Sequence, residues 1–399
     1  MKRVNVLSFV TAVIFFLVVT VVHLLLLRGG RDERALRVGF VYDGDESTPY
    51  TANFIRAQEQ IESELGERIV TIVKANVKEE RIQDALDELA EQQVDMIFTT
   101  SYGYGEKAKE FAEKHPNVQV CQATCANANT DPVLKNYHTF MGEIYEGRYI
   151  AGVVAGMKLS ELIQKGELER DSIKIGYVGA YPYAEVISGY TAFLLGIRSI
   201  VPEAKMYVKY ADSWSAYNVE KQLAQELIDE GCVVISQHSD TIGPAVACEE
   251  GSKEQIVFHV GYNQSMIDVA PTTSLISTRI NWTPYIEGAI KAVIAGKQIE
   301  DQVKGHVHGN DIGAGFEKDW VQMMELNEHI AAPGTQNQID KLTRQFATTG
   351  KTVFQGPYTG TNPYDPSDTI NLEDGFEENK EASAPSFGYV LDDVITVEN

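Results

Sequence analysis

Basic residues are scarce in this 399-residue chain: 34 Lys and Arg stand against 57 Asp and Glu, a net charge of −23. Such a surface repels polyanions, so no nucleic acid partner is expected. Cysteine is scarcer still, with Cys121, Cys125, Cys232 and Cys248 the whole complement. Cys121-x3-Cys125 has no second pair and no His pair at ligand spacing beside it, which leaves no metal site. A disulfide from Cys121 or Cys125 to another cysteine stays open. Enzyme signatures are missing as well. No G-x-S-x-G elbow occurs, and Ser236-x-His238-Ser239-Asp240 packs triad residue types onto one strand end, where they cannot form a relay. Gly350-Lys351-Thr352 imitates the end of a phosphate loop without its leading glycine. No enzyme activity and no cofactor are expected.

One long apolar run is present. Val4 to Leu27 carries no charged residue, and at about 1.5 Å per residue it spans about 36 Å, enough for a hydrocarbon core of about 30 Å. It ends in Leu24-Leu25-Leu26-Leu27-Arg28, without the small residues of a cleavage site and without a cysteine to take a lipid. The expectation for residues 1–35 is an uncleaved single-pass transmembrane anchor followed by a short linker.

The remainder is built twice. Arg37-Val38-Gly39-Phe40-Val41 is matched in side-chain class by Lys174-Ile175-Gly176-Tyr177-Val178, with Gly39 and Gly176 standing 137 residues apart. Asp95-Met96-Ile97-Phe98-Thr99 and Cys232-Val233-Val234-Ile235-Ser236 repeat at the same offset, as do Val118–Cys121 and Gln255–Phe258. Short apolar runs bounded by Gly and Pro read as buried strands. Between them lie helical stripes such as Phe54, Ala57, Ile61 and Leu65. Alternation of strand and helix predicts parallel sheets covered on both faces, hence two doubly wound α/β lobes. Small residues at Gly147, Ala151, Gly152, Ala155 and Gly156 predict a closely packed helix. The pattern weakens after Gly305, and Gly356–Ala384 reads as an extended surface loop. Phe387–Val397 closes the chain as a strand.

In open parallel sheets, ligands bind beyond the carboxyl ends of the strands. The residues that follow the strands in each half are therefore the candidates, and they are rich in aromatics. From the first half come Asp45, Tyr50, Ser101, Tyr102 and Tyr104; from the second, Tyr181, Trp214, His238, Asp240, Asn263, Asn281 and Trp282. Aromatic faces stack on planar rings, and Asp and Asn between them fix orientation by hydrogen bonds. With basic residues nearly absent from these loops, the ligand should be neutral or slightly basic, planar and polar-edged. A purine nucleoside or base fits, and a nucleotide does not.

The stretches Ile97-Phe98-Thr99-Thr100-Ser101-Tyr102-Gly103-Tyr104, Glu146-Gly147-Arg148-Tyr149-Ile150-Ala151-Gly152, Gln237-His238-Ser239-Asp240 and Asn281-Trp282-x-Pro284-Tyr285 make the chain, from about Arg37 to Gly296, resemble the basic-membrane-protein family. These are substrate-binding proteins of ABC importers. The resemblance implies the type I periplasmic-binding-protein fold, with two lobes joined by a three-crossing hinge. It places residues 36–142 plus 278–305 in lobe 1, and residues 143–277 plus 306–399 in lobe 2. It also implies a purine nucleoside or base as ligand, ABC permease subunits as partners, and a binding domain on the extracytoplasmic side of the cell membrane. Thr48 and Asn263 depart from the family's usual Trp and Asp. A membrane-tethered sensor using the same binding module is the alternative.

Overall fold

A computed structural model describes residues 34–398. The expected anchor at Val4–Leu27 lies outside them. Among the described residues, no helix is long and apolar enough to cross a membrane.

The first half lays down β1 (Leu36–Val41), β2 (Ile69–Lys74), β3 (Met96–Thr99), β4 (Gln119–Ala123) and β5 (Tyr137–Gly142). Between these strands run α1 (Pro49–Leu65), α2 (Ile82–Glu91) and α3 (Gly105–Lys114). The strands pair in parallel in the order β2-β1-β3-β4-β5. Helix α1 shows how sequence sets an element's bounds. Pro49 opens it, since the first helical turn needs no amide donor. Phe54, Ala57, Ile61 and Leu65 form its buried stripe, and Gly66 ends it at φ 52°. The helix thus begins at Pro49, ahead of the Phe54 stripe, which places Tyr50 in its first turn.

The second half repeats the plan. After α4 (Tyr145–Gln164) come β6 (Lys174–Gly179), α5 (Ala184–Arg198), β7 (Lys205–Tyr210), α6 (Tyr217–Asp229), β8 (Val234–His238), α7 (Gly243–Gly251), β9 (Phe258–Tyr262) and β10 (Ser274–Ile280). The order β7-β6-β8-β9-β10 is that of the first sheet, so the repeat read from side-chain class is a repeat of topology. Helix α8 (Thr283–Ile294) then returns to the first sheet, where Tyr285 stacks on Phe140 at 3.7 Å.

The return lasts longer than expected. Strands β11 (His306–His308) and β12 (Asp311–Ala314) extend the first sheet, β12 lying parallel to β5. The chain therefore re-enters the second lobe near Gly315, not at Gly305, and residues 306–314 belong to lobe 1. Thr278–Ile280, assigned to lobe 1 from the sequence, are instead the end of β10 in the second sheet. Among the described residues, three segments cross between the sheets: 142–145, 280–283 and 314–316.

Beyond them, β13 (Val321–Met323) pairs antiparallel with β10, and α9 (Thr335–Thr349) packs Ile339, Leu342 and Phe346 into the second core. The stretch read as a surface loop is ordered. It forms β14 (Thr359–Asn362) and β15 (Asp365–Asn371), with β16 (Val390–Leu391) completing a three-stranded antiparallel sheet. Finally β17 (Ile395–Glu398) adds a parallel edge beside β7. All four cysteines are buried free thiols, which closes the disulfide question.

Candidate ligand-binding site

The carboxyl ends of the two sheets face each other across a narrow cleft with about 370 Å³ of empty space, mouth included. Each lobe contributes residues from the strand tips. From the first come Asp43 after β1, Tyr50 on α1, Ser101 and Tyr102 after β3, and Thr124 after β4. From the second come Trp214 after β7, His238 and Asp240 at the tip of β8, Tyr262 at the end of β9, and Glu185 in the first turn of α5. Both sheets present the tips beside the point where strand order reverses, the usual place for a ligand in this topology.

The lobes touch across the cleft. Tyr102 meets Tyr183 with ring centroids 5.4 Å apart, and Asn53 Nδ2 donates to the Asn263 carbonyl at 3.0 Å. The arrangement is therefore a closed one. Its walls are held from behind: the amide of Asp240 donates to the Trp214 carbonyl at 2.8 Å. The buried Glu220 carboxylate accepts from the Ser239 and Thr241 hydroxyls and from the Ala216 amide. Tyr50 donates its hydroxyl to the Thr100 carbonyl and meets Phe54 edge-on at 5.2 Å.

Three carboxylates, Asp43, Glu185 and Asp240, line the cleft, and among the described residues no Lys or Arg does. Burial raises the pKa of Asp240 well above the ordinary carboxylate range, and the nearby Asp43, Glu220 and Glu185 raise it further. Asn263 opposes this by donating Nδ2 to Asp240 Oδ1 at 2.9 Å. Burial likewise raises Asp43, against a hydrogen bond from Thr51. His238 is pushed down by burial and then by the Arg148 charge, so its imidazole is neutral. The cleft thus offers aromatic faces, carboxyl acceptors and a neutral imidazole, but no phosphate-binding group. Among the described residues no cluster of three or more His, Cys, Asp or Glu could hold a metal ion.

Of the residues singled out from the sequence, Tyr50, Ser101, Tyr102, Trp214, His238 and Asp240 meet in this cleft. Tyr181 buttresses its rim, stacked on Tyr183 at 5.2 Å and edge-on to Trp214 at 5.6 Å. Asn263 stands one shell back, holding Asp240. The other four lie elsewhere. Asp45 is half-buried away from the cleft and pulled down to about 2 by hydrogen bonds from Ser47 and Asn76. Tyr104 is buried in the first lobe, where its hydroxyl donates to the Val77 carbonyl. Asn281 donates to Asp319 in a separate polar groove. Trp282 immediately precedes α8 and packs inward, stacked on Phe54 at 4.4 Å and 1% exposed. A large apolar ring at a helix start gains more from the adjacent core than from a wet cleft. Asp43 and Tyr262 also line the cleft, in the strand-end loops Asp43–Tyr50 and Gly261–Asn263 that the sequence marks as candidates, whereas Thr124 and Glu185 were not among them.

Two similar lobes with a small-molecule cleft between their strand tips define a periplasmic-binding-protein-like receptor. Residues 35–352 match the family model described as ABC transporter substrate-binding protein PnrA-like, and the chain belongs to that family. Membership makes it a solute-binding protein and not an enzyme, with a small-molecule ligand and permease partners. A purine-binding protein of Brucella abortus is 31% identical over 282 residues, covering 70% of this chain and 75% of that protein. A Haloferax volcanii protein, named as an ABC transporter glucose-binding protein, is 30% identical over 64% of this chain and 60% of its own length. The fold recurs in a solved ABC transporter solute-binding protein from Aeropyrum pernix, at a TM-score of 0.64 and 14% identity over 83% of this chain and 95% of that one. Another from Conexibacter woesei gives a TM-score of 0.59 at 15% identity, covering 79% and 97%.

Proposed function

We propose that the chain is the extracytoplasmic receptor of an importer for purine nucleosides or bases, tethered to the membrane through Val4–Leu27. The observation that supports this most is the composition of the cleft wall. Tyr50, Tyr102, Trp214 and Tyr262 supply flat apolar surface from both lobes, and Asp43, Glu185 and Asp240 supply acceptors for ring and exocyclic N–H groups. A ligand held by both lobes stabilises the closed arrangement relative to an open one, and that difference is what the permease reads. The purine name of the Brucella relative points the same way.

The second reading is a sugar, favoured by the name of the Haloferax relative. Pyranose rings also stack on aromatics and donate hydroxyls to carboxylates. Calorimetric titration with adenosine, guanosine, inosine, hypoxanthine and glucose separates the two. We expect binding of at least one purine and none of glucose. We also expect Trp214→Ala to weaken the purine by up to about tenfold, the weight of one aromatic stacking contact. Glucose binding without purine binding would overturn the proposal in favour of the sugar reading.

A further inference from the structure

Arg148 is the strangest side chain in the molecule. It lies in the first turn of α4, wholly buried, and none of its guanidinium nitrogens has a hydrogen-bond partner among the described residues. Its guanidinium carbon sits 3.8 Å from the centroid of the Tyr262 ring. An unpaired buried charge is strongly destabilising, and the positive end of a helix dipole adds repulsion. The cation–π contact with Tyr262 offsets only part of this. A Met of similar reach would fill the space without either penalty. A side chain that costs the fold this much points to a role outside folding.

Its surroundings say what that role is. Tyr262 lines the cleft, and its ring meets that of His238 at 4.7 Å and 64°. We propose that Arg148 determines which ligands the cleft accepts: its charge, acting through Tyr262 and beside His238, biases an acidic cleft toward neutral, electron-rich rings and against cations. Three carboxylates without a counter-charge would favour amines. A guanidinium covering one face of Tyr262 draws electron density from the ring, and an electron-rich purine stacks better on such a surface. The ligand half of this proposal rests on the purine reading above.

The electrostatic half stands without any ligand. His238 meets Glu185 from α5, with Nε2 and Oε1 3.3 Å apart, and the ring of Tyr262 from β9, on which Arg148 from α4 lies. A Cβ on Gly189 would touch His238 Nδ1 and also the Tyr177 hydroxyl of β6. Asp240 follows it on its own loop, and Asp43 lines the same cleft from the other lobe. Apart from Arg148, the charged groups of this set are all acidic and favour protonation of the imidazole.

Arg148→Met tests both halves with three readouts. Chemical denaturation should show a variant more stable than the native chain. The His238 imidazole, followed by NMR without ligand, should titrate at higher pH than in the native chain. Calorimetry should show guanosine binding about tenfold weaker, as expected for loss of a desolvated cation–π contact and its effect on stacking. The affinity ratio of guanosine to the cationic 7-methylguanosine should fall with it. An unmoved His238 titration, or an unchanged ratio, overturns the proposal. If Arg148→Met does not fold, Arg148→Lys keeps the charge and loses the planar stack. It should leave the His238 titration near its native position while weakening guanosine, and a titration that moves as far as full loss of charge would move it overturns the proposal. A native chain that binds none of adenosine, guanosine, inosine and hypoxanthine sinks the purine reading, and the His238 titration then decides the role of Arg148 alone.

Discussion

Asp240 carries the electrostatic cost of the cleft. It is 7% exposed, and its carboxyl is raised by burial first and by the Asp43, Glu220 and Glu185 charges after that. A carboxyl with a folded pKa above its unfolded value, about 3.9 for Asp, binds its proton more tightly in the fold. Its contribution to stability is full below the unfolded value and disappears as the pH rises through the folded one. At neutral pH, burial of Asp240 therefore strains the closed cleft, and Asp43 shifts in the same direction. Asp240→Asn is uncharged at every pH and can still accept the Asn263 amide. We expect it to be more stable than the native chain at pH 7, with the gap narrowing toward pH 4. Urea denaturation midpoints at the two pH values measure this, and an equal gap at both would show that the charge is not what strains the site. A ligand N–H donated to Asp240 relieves the same strain, which links the cost to binding.

Helices α4 and α5 show what a pattern of small residues does. A Cβ on Gly152 would lie 2.0 Å from the Phe193 carbonyl oxygen, and one on Gly196 would lie 2.2 Å from that of Tyr149. Backbone cannot yield as a side-chain tip can, so Gly196→Ala must push the helices apart. The expected cost is about 1–3 kcal/mol, typical of overpacking. It should appear as a lowered denaturation midpoint, and an unmoved midpoint would mean the pair is free to separate. This packing was legible in Gly147 to Gly156, as were the strands and helices of both halves, because period and apolar runs survive in the sequence. Strands β11 and β12 were not, since three or four mixed residues carry no period. Helix α9 did carry one, in Ile339, Leu342 and Phe346, hidden among Thr and Asn of modest helix propensity. At the site, position after a strand was legible and side-chain direction was not. Trp214 and Trp282 both follow strands, yet one lines the cleft and the other fills a core.

At the scale of the whole molecule, the segment beyond residue 352 lies outside the family match and ties the two lobes together. Phe354, Phe376 and Phe387 anchor it to the second lobe, with Phe354 and Phe387 stacked at 4.5 Å. The buried Glu378 carboxylate accepts from the Ser188 hydroxyl on α5 and from the Ser386 hydroxyl at 2.8 Å. The chain then crosses to the first lobe. Ser383 donates its amide to Asp311 Oδ2 and its hydroxyl to Asp311 Oδ1 at 2.6 Å, and Ala384 rests against the first core. Because Asp311 starts the strand that leads into the third crossing, this is a fourth link beside the hinge. Such a link limits how far the lobes can part and so sets part of the difference that ligand binding works against. Asp311→Asn turns the oxygen facing the Ser383 amide into a donor while keeping Oδ1 as acceptor for the Thr139 and Ser383 hydroxyls, so it weakens the tie with little loss of packing. Spin labels at Lys114 and Gln222, exposed positions on α3 and α6, report the separation of the lobes. Without ligand, the variant should give longer and broader distances than the native chain, and saturating ligand should bring both to the same short distance. Identical distributions without ligand would show that the three crossings alone set the range of motion and that the C-terminal segment only stabilises the second lobe.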